Sequence, residues 1–429
     1  MDTRSAHALV RFGLGRLGAE PVPSDPTAWL LDQLKRPDPV AMNPPASSVS
    51  GLIAIREDRR NRIPGQSQAR ALYSAQGHAS LAHAAATKAP FRERLVWFWT
   101  NHFTISLRRA ECAGVAAAFV EEAIRPHVTG RFEDMLLAVM RHPAMLMYLD
   151  NENSVGPNSP ANRSGKRGLN ENLARECLEL HTVSTAGGYS QADVTSLARV
   201  LTGWTIDRRA EQPGFVFNRA MHEPGSHIVM GRTMPPEEAG GIEAMRFLAA
   251  QPATHRFLAT KLVRHFVADE PPPRAIARIE GVLRDSKGNL GAAAAALVGL
   301  EDAWAPPGTK FRTPQDLFIA SIRALGGPSA TSMDMMRIIS ALGQPLWIAP
   351  APNGWPDQAS AWSTPEAMMR RIDWTYAFAG RIGPREPMEV AEIALGPLLR
   401  PATQDAIARA GSRRDAMTIL LTSPEFQRR

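Results

Sequence analysis

Apolar residues in this chain return every three or four positions in stretch after stretch, and proline or glycine opens or closes nearly every one. A period near 3.6 buries one face of a helix, whereas a half-buried strand needs strict alternation, so the pattern commits the chain to helices of modest length. Proline is tolerated in the first turn, where its missing N–H would have no partner, and it stops a helix elsewhere. The spacing predicts a helix over 27–34, capped by Asp25 or Ser24 ahead of Pro26 and ended by the proline-rich stretch Pro37 to Pro45. Further helices are predicted from Ala46 through an arginine cluster to Pro64, over 67–87, from Pro90 to Phe103, over 110–124 and over 131–140. Others follow from Gln191 to Gly203, over 244–250, 252–268, 274–284, 313–325, 333–342 and 366–382, with two more at the carboxyl end. Between Thr205 and Thr233 the period is lost, and FVFN with HIVMG reads as a hairpin with His222 in its connection. The expected fold is therefore mainly α, a multi-helical globular fold with at most a short β-hairpin near 215–231. It fills one domain over 1–429 or two closely packed halves, 1–204 and 205–429.

Bulk properties narrow the function classes. Hydrophobic content of 44% and charged content of 21% describe an ordinary globular chain. No run approaches the roughly 18 consecutive apolar residues of a membrane span. The amino terminus has an acidic Asp2 and no apolar core ahead of a small-residue cleavage site, which reads as a cytoplasmic protein. Cys112 and Cys177 show no CxxC spacing and read as small buried hydrophobes. The net charge of +7 comes almost wholly from arginine. Its densest cluster, Arg56 to Arg62, is diluted by Glu57 and Asp58, and no basic run alternates with aromatics, so nucleic acid is not the expected partner.

The stretch NENLARECLELHTV is the richest in chemistry. Leu169, Leu173, Cys177 and Leu180 form an apolar stripe, while Asn172, Arg175, Glu176 and Glu179 share the opposite side, with His181 close behind. A short amide, a guanidinium, two carboxylates and an imidazole are what acid–base chemistry requires, although ion-pair networks imitate such sites. A loop of about nineteen residues, Asp150 to Gly168, precedes the stretch, and loops that long tend to be functional or disordered. Three further polar groupings recur near helix ends: Asn101 with His102, His222 with Glu223, and Lys261 with Arg264 and His265.

The catalytic reading makes Glu176 a general base and lets Arg175 or Lys261 hold an anionic substrate. His181 or His222 then moves protons beside Glu179, and Asn172, His102, His265 and Trp204 complete the substrate contacts. Buried tryptophans equally fill space between helices, and the NGWP stretch at Asn353 to Pro356 carries the same ambiguity. Ligand spacing supports no metal: HExxH and Cys/His clusters are absent. A zinc or iron centre would have to gather His102, Glu176, His181 and His222 from distant segments. FGLGRLG at Phe12 to Gly18 follows no strand, so it reads as a turn and not as a phosphate loop. No motif names a cofactor or an oligomeric state.

Several of these segments resemble a bacterial family catalogued as domain of unknown function 1800. They are GLNENLARECLELHTV, GGYSQADV, ARVLTGW, FLATKLVRHFVADEPPP, LGQPLW, NGWP and the opening ALVRFGLG, spread from Ala6 to Phe426. The resemblance implies a mainly helical globular fold. It singles out Asn170, Asn172, Arg175, Glu176, Glu179, Tyr189, Asp193, Arg199 and Trp204 as positions that match the family pattern. Where family members read His-Asp-x-Gly followed by lysine, this chain has His222, Glu223, Gly225 and His227. Genes of the family often lie beside genes for proteins similar to alkaline phosphatases and sulfatases, which implies such a protein as a partner. Two functions follow as expectations: a hydrolytic enzyme with a polar pocket around the NENLARE helix, or a non-catalytic helical scaffold for a partner protein.

Overall fold

The structure is a computed structural model that describes the chain apart from residues 37–41, 62–64, 164, 166, 167, 305 and 331–333. Pro37, Pro64, Lys166 and Met333, all picked out from the sequence, lie outside the described residues. Helices take up 60% of the chain, accompanied by two small antiparallel strand pairs. Among the described residues no helix is long and apolar enough to cross a membrane. Both cysteines are buried and free.

Local signals set the helix boundaries. Asp25 caps Pro26–Lys35 through the Ala28 N–H at 2.9 Å. Helix α1, Ser48–Arg60, crosses a helical turn at Ala110–Gly114, and the contact is possible because both elements present glycine. A Cβ on Gly51 would sit 2.0 Å from the Gly114 carbonyl oxygen. Gly51→Ala is therefore expected to lower stability by roughly 1–3 kcal/mol through overpacking, read as a drop in thermal midpoint. Helix α2, Pro90–His102, has proline in its first turn and buries Phe91, Leu95, Phe98 and Trp99, the aromatic stripe visible in the sequence. Helix α3, Asn172–Glu176, continues into a wider π-helical turn over Cys177–His181, and α4, Gln191–Leu201, starts on a Ser190–Asp193 capping box. Helix α5, Pro252–Phe266, buries Leu258, Leu262, Val263 and Phe266. It lies beside α2 through rings, with Phe91 edge-on to Phe266 at 5.9 Å between centroids and Phe12 against both. Burial of each such ring contributes roughly 1.5–3 kcal/mol. Helix α6, Pro314–Ala324, is buried along almost its whole length.

The strands pair differently from the expected single hairpin. FVF does not meet HIV. Strand β1, Trp204–Asp207, takes β2, Gly214–Phe217, with Trp204 opposite Phe217. Strand β3, His227–Val229, takes β4, Arg232–Met234. The second pair closes through Met230 and Gly231, both with positive φ, the two-residue turn whose twist suits adjacent strands. The carboxyl end holds three helices, Pro387–Ala394, Pro401–Ala408 and Arg413–Thr422, where two were expected. The amino-terminal helix Thr3–His7, continued by a wider turn over Ala8–Phe12, and the short helices Pro143–Tyr148 and Leu290–Val298 have no counterpart among those expected from the sequence.

Candidate functional site

A cavity of about 350 Å³ opens between the end of α2, the second half of α5 and the irregular segment 344–358. It draws on both halves of the sequence. Asn101 and His102 come from α2, Lys261, Arg264 and His265 from one face of α5, and Trp347, Trp355 and Asp357 from the irregular segment, with Arg429 behind them. Residues 261, 264 and 265 stand three and four apart, so one helix face delivers all three side chains.

The irregular segment is held by α2 through amide pairing. Asn101 donates Nδ2–H to the Trp355 carbonyl at 2.9 Å and accepts the Trp355 N–H on Oδ1 at 2.8 Å, as a neighbouring strand would. Gly354 allows the approach. It sits at φ +79°, and a Cβ there would lie 2.5 Å from the Asn101 carbonyl oxygen. The NGWP motif is thereby a docking device, and the residue after it, Asp357, is delivered to the wall.

At that wall His102 joins two neighbours. Its Nε2 lies 3.1 Å from the His181 carbonyl, so Nε2 carries the proton and Nδ1 is left as an acceptor. Lys261 Nζ donates to Nδ1 at 3.0 Å. Burial, reinforced by the Lys261 charge, holds His102 well below the ordinary imidazole range. Burial and then Arg264 bring the Lys261 amine down to about 8, against the pull of Asp357. A wholly buried His181 lies behind, its ring 6.0 Å from that of His102 and 5.2 Å from Phe103, with neither nitrogen partnered among the described residues. Burial drops it to about 3.

A second cluster rigidifies the other side. His265 Nδ1 donates to Asp357, 2.9 Å from both carboxylate oxygens, and its Nε2 faces Arg429 at 3.5 Å. Arg429 meets Asp316 at 2.9 Å, and Arg94 binds Asp316 through two nitrogens at 2.8 and 3.1 Å. Burial takes His265 to about 4 in spite of Asp357, while His265, Lys310 and Arg429 keep Asp357 ionised below the usual carboxylate range. Every carboxylate on the wall is matched: Glu93 by Arg125 at 2.6 Å, Asp316 by Arg94 and Arg429, Asp357 by His265. Among the described residues Lys261 and Arg264 have no carboxylate partner; Arg264 reaches only the Asp269 carbonyl, at 3.4 Å. The surplus charge of the cavity is positive.

Of the residues picked from the sequence, His102, Lys261 and His265 meet at this cavity, with His181 directly behind. Glu176, Glu179, Arg175 and Asn172 do not line it, so His102, Lys261 and His265 meet without the carboxylates of the α3 segment. The reason lies in the helix: His181 falls on the apolar side of the α3 segment, roughly 200° from Glu179. Arg175 pairs with Glu171 at 3.1 Å and Gln191 at 3.0 Å, Glu171 also accepts from Thr195 at 2.6 Å, and Tyr189 donates to Glu179 at 3.4 Å. Glu176 is half-buried, its carboxyl raised by burial and by Glu179. Asn172 is exposed. His222 is spent on structure, since Nδ1 donates to the Thr202 carbonyl at 2.8 Å and Nε2 accepts the Glu237 N–H at 3.1 Å. Glu223 binds Asn158. Trp204 is buried against Gly241 and Phe215. Among the described residues no group of three His, Cys, Asp or Glu side chains is placed to hold a metal.

The sequence profile of one family, described as protein of unknown function (DUF1800), matches residues 7–428. The chain belongs to the DUF1800 family. No curated protein and no solved structure matches this DUF1800 chain. Sequence reading passed over Asp357, Asp316, Arg94 and Arg429. Asp357 could have been found as the carboxylate directly after NGWP, and Asp316 as a charge in the otherwise apolar DLFIASI.

Proposed function

We propose that this DUF1800 protein is a hydrolytic enzyme that takes a small anionic substrate into the α2–α5 cavity, with Lys261 as its general base. The observation that carries the reading is a lysine with no carboxylate partner, held on a neutral imidazole at the wall of a cavity whose carboxylates are all matched. In its neutral form Lys261 accepts a proton from water as the oxygen attacks the substrate, and Arg264 faces the negative charge that develops. His102 fixes the direction of Nζ, and the His265–Asp357 pair holds the opposite wall. The outward face of α3 is, in this reading, a surface network.

The test is turnover of a panel of chromogenic anionic esters and phosphoesters by the protein and by Lys261→Met. A general base contributes about 10² to 10⁴ in rate, so the variant is expected to lose at least about a hundredfold while its thermal midpoint holds. In the parent, kcat/KM should rise with pH and level above about 8, because the amine must be deprotonated to act. Turnover that survives Lys261→Met, or a profile that falls across that range, ends the proposal. The scaffold reading draws support from an exposed apolar stripe, Met369, Ile372 and Tyr376, on the helix Pro365–Ala379. A scaffold for a protein similar to alkaline phosphatases or sulfatases would tolerate Lys261→Met without functional loss.

A further inference from the structure

We propose that Lys261 captures small oxo acids, molecules with an aldehyde or ketone carbon next to a carboxylate, as a reversible imine with the carboxylate seated on Arg264. The inference rests on the reading that the cavity takes an anionic ligand, and it adds a covalent step and a ligand class.

The argument is one of spacing and of what each group has left to offer. His102 accepts one Nζ–H, because its own proton is committed to the His181 carbonyl. In the neutral amine that bond turns the lone pair away from the imidazole. Phe257 lies beside the amine, its ring centre 5.5 Å from Nζ, and covers it without offering an acceptor. Arg264 follows three residues later on the same helix, where neighbouring Cβ atoms stand about 5–6 Å apart. Both side chains line the cavity, so an amine and a guanidinium that has no carboxylate partner among the described residues are offered side by side to a carbonyl carbon and the carboxylate bonded to it. Glu93, Asp316 and Asp357, the acidic groups that face the cavity, are engaged by Arg125, by Arg94 with Arg429, and by His265, so none competes for Arg264. With the amine near 8, about half of it is neutral at pH 8, whereas an ordinary lysine is almost wholly charged.

The step balances without an oxidant or reductant. The Nζ lone pair forms the C–N bond as the carbonyl π pair moves to oxygen, and a proton passes from nitrogen to that oxygen. The resulting hydroxyl departs with a second proton as water while the nitrogen lone pair closes the C=N bond. Amine and carbonyl become imine and water, and hydrolysis reverses it.

The experiment uses the full chain at pH 8 with glyoxylate and cyanoborohydride, which reduces any imine to a stable carboxymethyl-lysine, mapped by peptide mass spectrometry. Lys35, Lys88 and Lys287 are exposed and serve as internal controls. Lys261 is expected to be modified on the order of tenfold faster or more than these, the direction set by its larger neutral fraction. Arg264→Gln should slow the reaction of glyoxylate at Lys261 several-fold more than that of uncharged propionaldehyde, which registers only the smaller neutral fraction of the amine once the Arg264 charge is gone. Oxalate has the carboxylates without a reactive carbonyl and reports the anion seat alone. A thermal midpoint that rises with oxalate and loses that rise in Arg264→Gln, with Lys261 modified no faster than the exposed lysines, overturns imine capture and leaves the anionic cavity standing. No rise and no selective adduct overturn both.

Discussion

Asp316→Asn is expected to remove about 3–5 kcal/mol, a large share of an ordinary domain's stability, because it takes the carboxylate that Arg94 and Arg429 share out of a buried cluster of cations. Asp316 is buried, receives Arg94 through two nitrogens and Arg429 through a third, and lies close enough to Arg312 to feel its charge. Those arginines, first Arg94 and then Arg429, hold its carboxyl at about 2 against the opposing effect of burial, so it is ionised throughout the working range. An amide of the same size keeps the shape and drops the charge. Arg94, Arg312 and Arg429 are then left buried without the carboxylate they share, and breaking a buried pair costs far more than the pair contributes. Arg94 also donates to the Gly13 carbonyl at 2.6 and 2.9 Å, so the loss reaches the amino-terminal turn as well as the cavity wall. The control is Asp285→Asn, whose carboxylate is largely exposed beside Arg284 and should change stability by no more than about 0.5 kcal/mol. Urea unfolding of both variants decides the matter. A loss below about 1 kcal/mol for Asp316→Asn would mean that water in the cavity takes over the role of the carboxylate and that the cluster does not hold the wall.

The same cluster explains which parts of the molecule were legible in advance. Helices were, since period and punctuation are local: Asp25 and Ser190 cap where their spacing says they should, and the helix expected over 313–325 runs Pro314–Ala324 with Thr313 as its cap. The glycines of FGLG read as a turn into a helix, whereas they end one, the helical stretch Thr3–Phe12, and their carbonyls at Gly13 and Gly15 accept from Arg94 and Arg323. Strand partners were not legible, because FVF has the same alternation whichever neighbour it meets, and Thr205–Asp207 lies in a stretch that shows only the loss of the helical period. The polar face of α3 drew attention by composition, yet composition cannot tell a surface network from a site. What separates them is which side the interior lies on, and that depends on contacts distant in sequence. His102 and Lys261 are 159 residues apart, and neither neighbourhood announces the other. Arg429 and Asp316 are invisible for the same reason: a buried ion pair is a property of two segments, and each half reads as an ordinary charge.

Buried histidines should make this protein lose stability in mild acid, beginning near pH 6.5 and well before its buried carboxylates titrate. His7 donates Nε2–H to the Ala303 carbonyl, 2.9 Å away, and is brought to about 4 by burial and then by Arg11; His181 falls to about 3; His102 lies well below its usual range. In the unfolded chain each would titrate near 6.5. Between that value and the folded one the unfolded state holds a proton that the folded state refuses, so stability falls as pH falls through this window and flattens only near 4 for His7 and 3 for His181. His7 and His181 then each cost about 2 kcal/mol between pH 7.5 and pH 5, and His102 acts in the same direction, so the loss is a large share of an ordinary domain's stability. Glu93 and Asp316, both held near 2, act in a later window: their contribution is present above about 4.5 and 3.8 and is lost as pH falls toward 2. The two windows separate by substitution. His181→Leu removes one titrating ring whose nitrogens have no partner among the described residues, so its urea midpoint should decline less steeply with acid, with a gain of about 2 kcal/mol over the parent at pH 5 relative to pH 7.5. Comparing the difference between two pH values cancels any packing change that leucine introduces. Parallel curves for parent and variant from pH 7.5 to 5 would show that His181 takes up its proton in the folded state, which requires water or an acceptor beside it and would turn the ring behind His102 into a working part of the cavity.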